Sequence, residues 1–301
     1  MTPPGNAAPP RRALARLELV GSGLAFGLMA VLARWLSRGP GGFTAGHLSV
    51  IRFAAGALLS LVAFRLRPGL YRPRNLRLLV TRGLSGGLVV VLYFWALARI
   101  PAGEAGMIYN LFPALATGMA FAMLGERPGV RLWLAVALAT AGVALVLGNG
   151  TFRIGLGPGE ASALAAAVFA AVSANVIRSM RGTDNAPTIF FFFCLAGLPV
   201  VLPFALAPWP GGLLRWAVAL AMALAAFAAQ VLMTEAYGTL SVGEAAAWLQ
   251  LTPIAQYLLA GLLLGERVTA AGGLGVVLSV GGVAWATTQT PRPAAPARPA
   301  P

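Results

Sequence analysis

The chain has 301 residues, of which 58% are apolar and 10% charged, and its mean hydropathy is +0.80. Soluble domains carry about 25% charged residues, so this composition excludes a disordered chain and argues against a soluble enzyme. The net charge of +14 comes from 22 arginines, without a lysine, against 8 acidic residues. The arginines fall mainly between apolar runs, where they set membrane topology instead of contacting nucleic acid.

Residues 1–16, rich in Pro and Ala with Arg11, Arg12 and Arg16, read as a disordered cytoplasmic tail. Ten apolar runs follow, at 17–36, 44–64, 76–98, 103–124, 130–148, 158–178, 186–206, 213–237, 243–264 and 270–288. A helix of about 20 apolar residues spans the hydrocarbon core, so each run is long enough to cross it. A basic start before an apolar run also fits a signal peptide. The length of 17–36, and its place in the repeat described below, favour a retained helix. The short connections leave no room for an extramembrane domain. Residues 289–301, again Pro, Ala and Arg, read as a second disordered cytoplasmic tail.

With the N-terminus inside, fifteen arginines fall on the cytoplasmic side and six on the outer side. Six of the fifteen are assigned to the second loop: Arg65, Arg67, Arg72, Arg74, Arg77 and Arg82. Positive residues stay inside, so both termini are expected in the cytoplasm of a multi-pass protein of the bacterial inner membrane. The single cysteine, Cys194, lies in an apolar run and offers neither an internal disulfide nor a metal cluster.

Residues 103–127, GEAGMIYNLFPALATGMAFAMLGER, align without a gap onto 243–267, GEAAAWLQLTPIAQYLLAGLLLGER. At this offset of 140, Gly103 and Gly243, Glu104 and Glu244, Pro113 and Pro253, Gly125 and Gly265, Glu126 and Glu266, and Arg127 and Arg267 are identical pairs; Asn110 faces Gln250. The segments 17–148 and 158–288 are therefore two copies of one five-helix unit. Five is odd, so the second copy inserts upside down. The expected fold is an all-α integral membrane protein of ten transmembrane helices in two inverted five-helix repeats. Such repeats belong to secondary transporters that rock about a site near the membrane midplane.

A helix with a central proline that ends in Leu-Gly-Glu-Arg, at 124–127 and again at 264–267, resembles the EamA family of the drug/metabolite transporter superfamily. So do YFWALARIPAGEAGMIYNLFPALATGMAFAMLGER in the first copy and QVLMTEAYGTLSVGEAAAWLQLTP at 230–253 in the second. Arg52–Phe53 in the second span is similar to an Arg-Phe pair common in that family. The resemblance covers 17–288 and implies a ten-helix transporter, with both termini cytoplasmic, that moves a small metabolite and most often exports it. Two departures are Glu235 beside the Ala236–Tyr237 pair, where a basic or neutral residue is commoner, and the absence of lysine.

Within this frame the polar residues are candidates for the site. Asn110, Pro113 and Thr117 share one helical face, as do Gln250, Pro253 and Tyr257. Polar side chains avoid lipid, so both stripes are expected to face the interior, lining a substrate cavity or bonding to neighbouring helices. Tyr93, Trp95, Tyr109 and Trp248 add aromatic rings nearby, and Gln230 and Glu235 close the eighth span. Pro113 and Pro253 should kink their helices, as hinges or as structural bends. Glu235 is the candidate for proton coupling. Arg52, inside the second span, either snorkels outward or holds a substrate carboxylate. Glu126 and Glu266 read as helix-end residues, His47 as an interfacial one, and Ser173 and Asn175 as interhelical hydrogen-bonders. No catalytic or metal-ligating set is expected, and no cofactor.

No GxxxxGK[ST] loop is present, so a gradient or the solute itself must supply energy. The function expected is secondary transport, by alternating access, of a small polar or amphipathic metabolite: an amino-acid-like solute or a drug, exported across the inner membrane. Partners would be the small-molecule substrate and membrane lipid, without nucleic acid, for a monomer or weak homodimer. The rivals are a lipid-carrier flippase and an intramembrane enzyme, which would need a nucleophile–base or metal constellation.

Overall fold

The computed structural model describes residues 9–97, 99–100, 102–148, 157–265 and 268–288. They form twelve α-helices: α1 (Pro9–Leu36), α2 (Ala45–Leu66), α3 (Leu76–Leu97), α4 (Ala102–Tyr109), α5 (Phe112–Leu124), α6 (Val130–Gly148), α7 (Pro158–Met180), α8 (Ala186–Val201), α9 (Leu213–Ala236), α10 (Val242–Leu249), α11 (Leu251–Leu264) and α12 (Ala270–Thr287). Short 3-10 turns occupy Pro68–Leu70 and Leu202–Ala205. The helices make ten transmembrane segments, because α4 with α5 and α10 with α11 each form one broken span. These are the two runs that contain the paired prolines.

Local chemistry sets many of the boundaries. Thr44 accepts from the His47 N–H while His47 Nδ1 accepts from the Thr44 N–H, which closes a capping box at the start of α2. Asn185, Ser241 and Thr269 cap α8, α10 and α12 by accepting from the N–H groups of Thr188, Glu244 and Gly272. Gly125 and Gly265, a repeat pair, both end their helices in the left-handed conformation at φ 66°, which a side chain would strain.

The two five-helix units pack with exchange symmetry. α1 packs against α9 as α7 does against α3, α1 against α11 as α7 against α5, and α2 against α9 as α8 against α3. α6 packs on its own counterpart, α12. There, a Cβ at Gly142 would meet Ser279 and Gly275, and one at Gly282 would meet Ala139 and Ala135. Each of those pairs is related by the offset of 140. The contact is thus its own two-fold image, and the missing side chains let the backbones touch. Leu58, Leu61 and Val62 on α2 and Leu274 and Val277 on α12 are exposed, as suits a surface against lipid.

Three expectations from the sequence are corrected here. Residues 9–16 are not tail: they are the first turns of α1, held there by Arg12 and Arg16, one turn apart, which both pair with Glu244. Arg82 is not in the second loop but in the second turn of α3, where it is 4% exposed. Its removal from the cytoplasmic tally leaves the sign of the arginine bias unchanged. His47 is fully buried, with Nε2 at 3.0 Å from the Ala207 carbonyl and its ring beside Trp209. Residues 1–8 and 289–301 lie outside the described residues.

Candidate functional site

The bundle brings two arginines together between the repeats. Arg52 projects from α2, and its Nη2 donates to Gln230 Oε1 on α9 at 3.2 Å. Arg82 projects from α3, and its Nη1 donates to Ser173 Oγ on α7 at 2.9 Å; Ser85 Oγ lies 3.0 Å from the same hydroxyl. Phe193 of α8 lies between them, its ring centroid 5.9 Å from Arg52 Cζ and 4.1 Å from Arg82 Cζ, so the two guanidinium carbons are no more than 10 Å apart. The Phe26 ring of α1 also lies beside Arg52, at 5.7 Å from Cζ. Gly86, one turn after Arg82, makes the space: a Cβ there would collide with the Phe193 ring and with Arg82 Nη1.

Arginine does not shed its proton, so both charges persist inside the bundle. Two like charges 10 Å apart repel by about 1.7 kcal/mol at an effective dielectric of 20. Ring faces and hydroxyls soften this but do not neutralise it. Among the described residues no carboxylate lies within ion-pair distance of either arginine. The Nε atoms of both are buried without a hydrogen-bond partner, as are Gln230 Nε2 and Tyr237 OH. Tyr109, the last residue of α4, stands beside the break in the fourth span and within electrostatic reach of both arginines; Tyr237 stands within reach of Arg82. Tyr109 packs on Tyr93 at 5.0 Å and on Phe112 at 5.6 Å between ring centroids.

The remaining candidates separate by location. Trp248 packs on the core cluster that holds Tyr237, with its Nε1 buried and unpartnered. Asn110 and Gln250 sit in the breaks themselves. Asn110 Nδ2 donates to the Gly106 carbonyl, and Gln250, fully buried, donates to Thr140 Oγ1 on α6 while its Oε1 has no partner. Thr117 Oγ1 donates to the Pro113 carbonyl one turn back. Tyr257 OH accepts from the Thr269 N–H and so ties α11 to the start of α12, away from the arginines. Trp95 is exposed, with Arg99 over its ring at 3.3 Å. The expected polar stripes are therefore divided. Their N-terminal ends, Asn110 and Gln250, meet helix junctions, and Thr117 and Tyr257 serve the backbone.

Pro113 and Pro253 lie in the first turn of α5 and α11. Neither has an N–H to offer the carbonyl four residues back, Tyr109 or Leu249. The backbone stays in the right-handed helical region at Leu111 and Gln250, so each span bends at the missing bond as the sequence predicts, and the freed carbonyls sit at the bend.

The end of the bundle at which α1 begins is closed by ion pairs. Glu244, 1% exposed, accepts from Arg12 Nη2 at 2.7 Å and Arg16 Nη2 at 2.8 Å. Glu126 accepts from Arg178 Nε at 3.2 Å and from the Val242 N–H at 3.0 Å. Glu235, at the end of α9 and partly exposed, pairs with Arg181. Of the repeat partners, Glu266 and Arg267 lie outside the described residues, as does the side chain of Glu104. Among the described residues no three His, Cys, Asp or Glu side chains cluster so as to hold a metal ion.

The reading of the sequence had missed Arg82, Tyr237 and Phe193. A signal for Arg82 existed: it falls inside the apolar run 76–98, and an arginine within a span marks function by default. Phe193, in a run of four phenylalanines, carried none.

Comparison with known proteins agrees with this architecture. The profile of the EamA-like transporter family matches residues 15–148 and again 157–288. The pseudopaline exporter CntI of Pseudomonas aeruginosa strain UCBPP-PA14 is 26% identical over 234 residues, 73% of this chain and 80% of its own. The CntI of strain PAO1 gives the same figures. A chain of known crystal structure superposes with a TM-score of 0.75 over 91% of this chain and 98% of its own, at 24% identity, a likeness of fold.

Proposed function

The chain belongs to the EamA-like transporter family, and on that premise we propose that it exports a small metabolite from the cytoplasm by alternating access, without ATP hydrolysis. The observation that carries the reading is the exchange symmetry of the two units, down to Gly142 and Gly282 at the α6–α12 crossing. If the halves trade conformations, a state closed at one face becomes a state closed at the other, at similar energy. The relatives named as pseudopaline exporters support the outward direction.

In this scheme the arginine bias sets both termini in the cytoplasm, in the inner membrane. The ion pairs of Glu244, Glu126 and Glu235 then close the cytoplasmic end. A proton on Glu235 would release Arg181, so the coupling candidate acts by loosening that closure. The substrate sits among Arg52, Gln230, Tyr93, Tyr109 and Trp248, beside the breaks. Pro113 and Pro253 serve as hinges because the gaps they leave let half-helices move separately. Asn110 and Gln250 border the site from the junctions.

The test is reconstitution. Proteoliposomes containing only this chain, loaded with the solutes whose release from cells depends on it, with pseudopaline as the first solute tried, are expected to release them without nucleotide. A strict requirement for ATP would reject the mechanism.

A further inference from the structure

We propose that Arg52 and Arg82 together hold an oxyanion of the transported solute, so that the exported metabolite is an organic anion bearing a carboxylate or a phosphate. This deepens the export reading and rests on it. Three observations converge.

The first is charge without a counter-charge. Two guanidiniums no more than 10 Å apart share one phenylalanine ring, and neither has a carboxylate partner among the described residues. Five of the six described acids are committed elsewhere: Glu126 to Arg178, Glu235 to Arg181, Glu244 to Arg12 and Arg16, Glu160 to the Gly157 N–H that opens α7, and Asp184 to the Arg74 N–H; the sixth, Glu18 on α1, pairs with neither Arg52 nor Arg82. A buried charge is tolerable only when paired, and none of the described carboxylates supplies that pair, which leaves the place open to an anion from outside the chain.

The second is the polarity of the unmet groups. Arg52 Nε, Arg82 Nε and Gln230 Nε2 can only donate, and Tyr237 OH can donate as well. Gln230 turns its oxygen toward Arg52, which leaves its amide nitrogen free. A site rich in donors and poor in acceptors fits an oxyanion and repels an ammonium group. Forked guanidiniums suit the two oxygens of a carboxylate or phosphate.

The third is construction. Arg82 is 4% exposed, Gln230 3% and Tyr237 1%. Gly86 leaves room for the Arg82 guanidinium, and the Ser173 hydroxyl, itself 3.0 Å from Ser85 Oγ, braces one of its nitrogens while Nε stays open. The arginines come from α2 and α3 of one repeat, their braces from α9 and α7 of the other. An anion between them would therefore be gripped across the interface that moves.

The experiment compares the medium of cells making the full chain, its Arg52→Gln, Arg82→Gln and Arg82→Lys variants, and Arg65→Gln as an exposed control, with membrane levels matched. Solutes whose release depends on the wild-type chain are expected to be anions at neutral pH. Their release should fall about tenfold or more in both Gln variants, recover in part in Arg82→Lys and persist in Arg65→Gln. If the dependent solutes are neutral or cationic, or Arg82→Gln exports normally, the anion site is wrong while export stands. The solutes' charge is read from wild type alone, so a variant lost from the membrane does not blunt the test. If no solute depends on the chain, the export reading fails and this inference with it. Thermal unfolding of the purified full chain with citrate, inorganic phosphate and a neutral triamide of citrate distinguishes the oxyanions. Stabilisation by citrate alone assigns a carboxylate and by phosphate alone a phosphate; equal effects of all three probes contradict the proposal.

Discussion

Gly86 lies one helical turn beyond Arg82 on α3, and its missing side chain is the space that the guanidinium and the Phe193 ring share. Gly86→Ala is expected to displace both and to lower export about tenfold or more, because a shift of an ångström in a charged site is costly. Gly273 has nothing within 4 Å of a would-be Cβ, so Gly273→Ala should leave export and melting temperature unchanged. Normal export by Gly86→Ala would detach Arg82 from transport. At this scale the sequence was only partly legible. Thr117 and Tyr257 occupy equivalent repeat positions, yet one bonds its own helix and the other the start of α12. Helical spacing shows which face a residue occupies, but not what a neighbouring helix offers it. Arg12 and Arg16 were read as tail because their partner, Glu244, is more than two hundred residues away.

In the proposed mechanism the two proline-containing spans are the elements on which motion depends. Two prolines at equivalent positions were visible in the sequence, and so was their capacity to disturb a helix. The resulting bends fall at Asn110 and Leu111, and at Gln250, where the hydrogen-bond ladder is interrupted while the backbone of Leu111 and Gln250 stays helical. Proline in the first turn costs a helix little, so Pro113→Ala and Pro253→Ala should change stability by less than about 1 kcal/mol. The restored N–H can reach the Tyr109 or Leu249 carbonyl and close the gap. The double variant is expected to melt near the wild-type temperature and to export several-fold more slowly. Equal melting with equal export would make both breaks structural only.

For the whole molecule, the architecture is legible in the offset of 140, because Gly, Pro, Glu and Arg identities in register are rare by chance. What it could not give is which polar groups the two copies turn toward each other, since that depends on how the inverted units dock. Topology follows from the arginine bias: reporters fused after residue 150 and at the C-terminus should lie outside and inside. A cytoplasmic signal at 150 would overturn the orientation. The central claim is that the two faces open in turn. It is tested most directly at Glu244 and Arg12, whose charged atoms lie 2.7 Å apart across α10 and α1. Cysteines at 12 and 244 in a Cys194→Ser background, joined by a reducible bismaleimide, would lock the end of the bundle at which α1 begins, the cytoplasmic end in the proposed orientation. The account predicts that export from proteoliposomes stops on cross-linking and returns on reduction. Undiminished export from fully linked protein would contradict it.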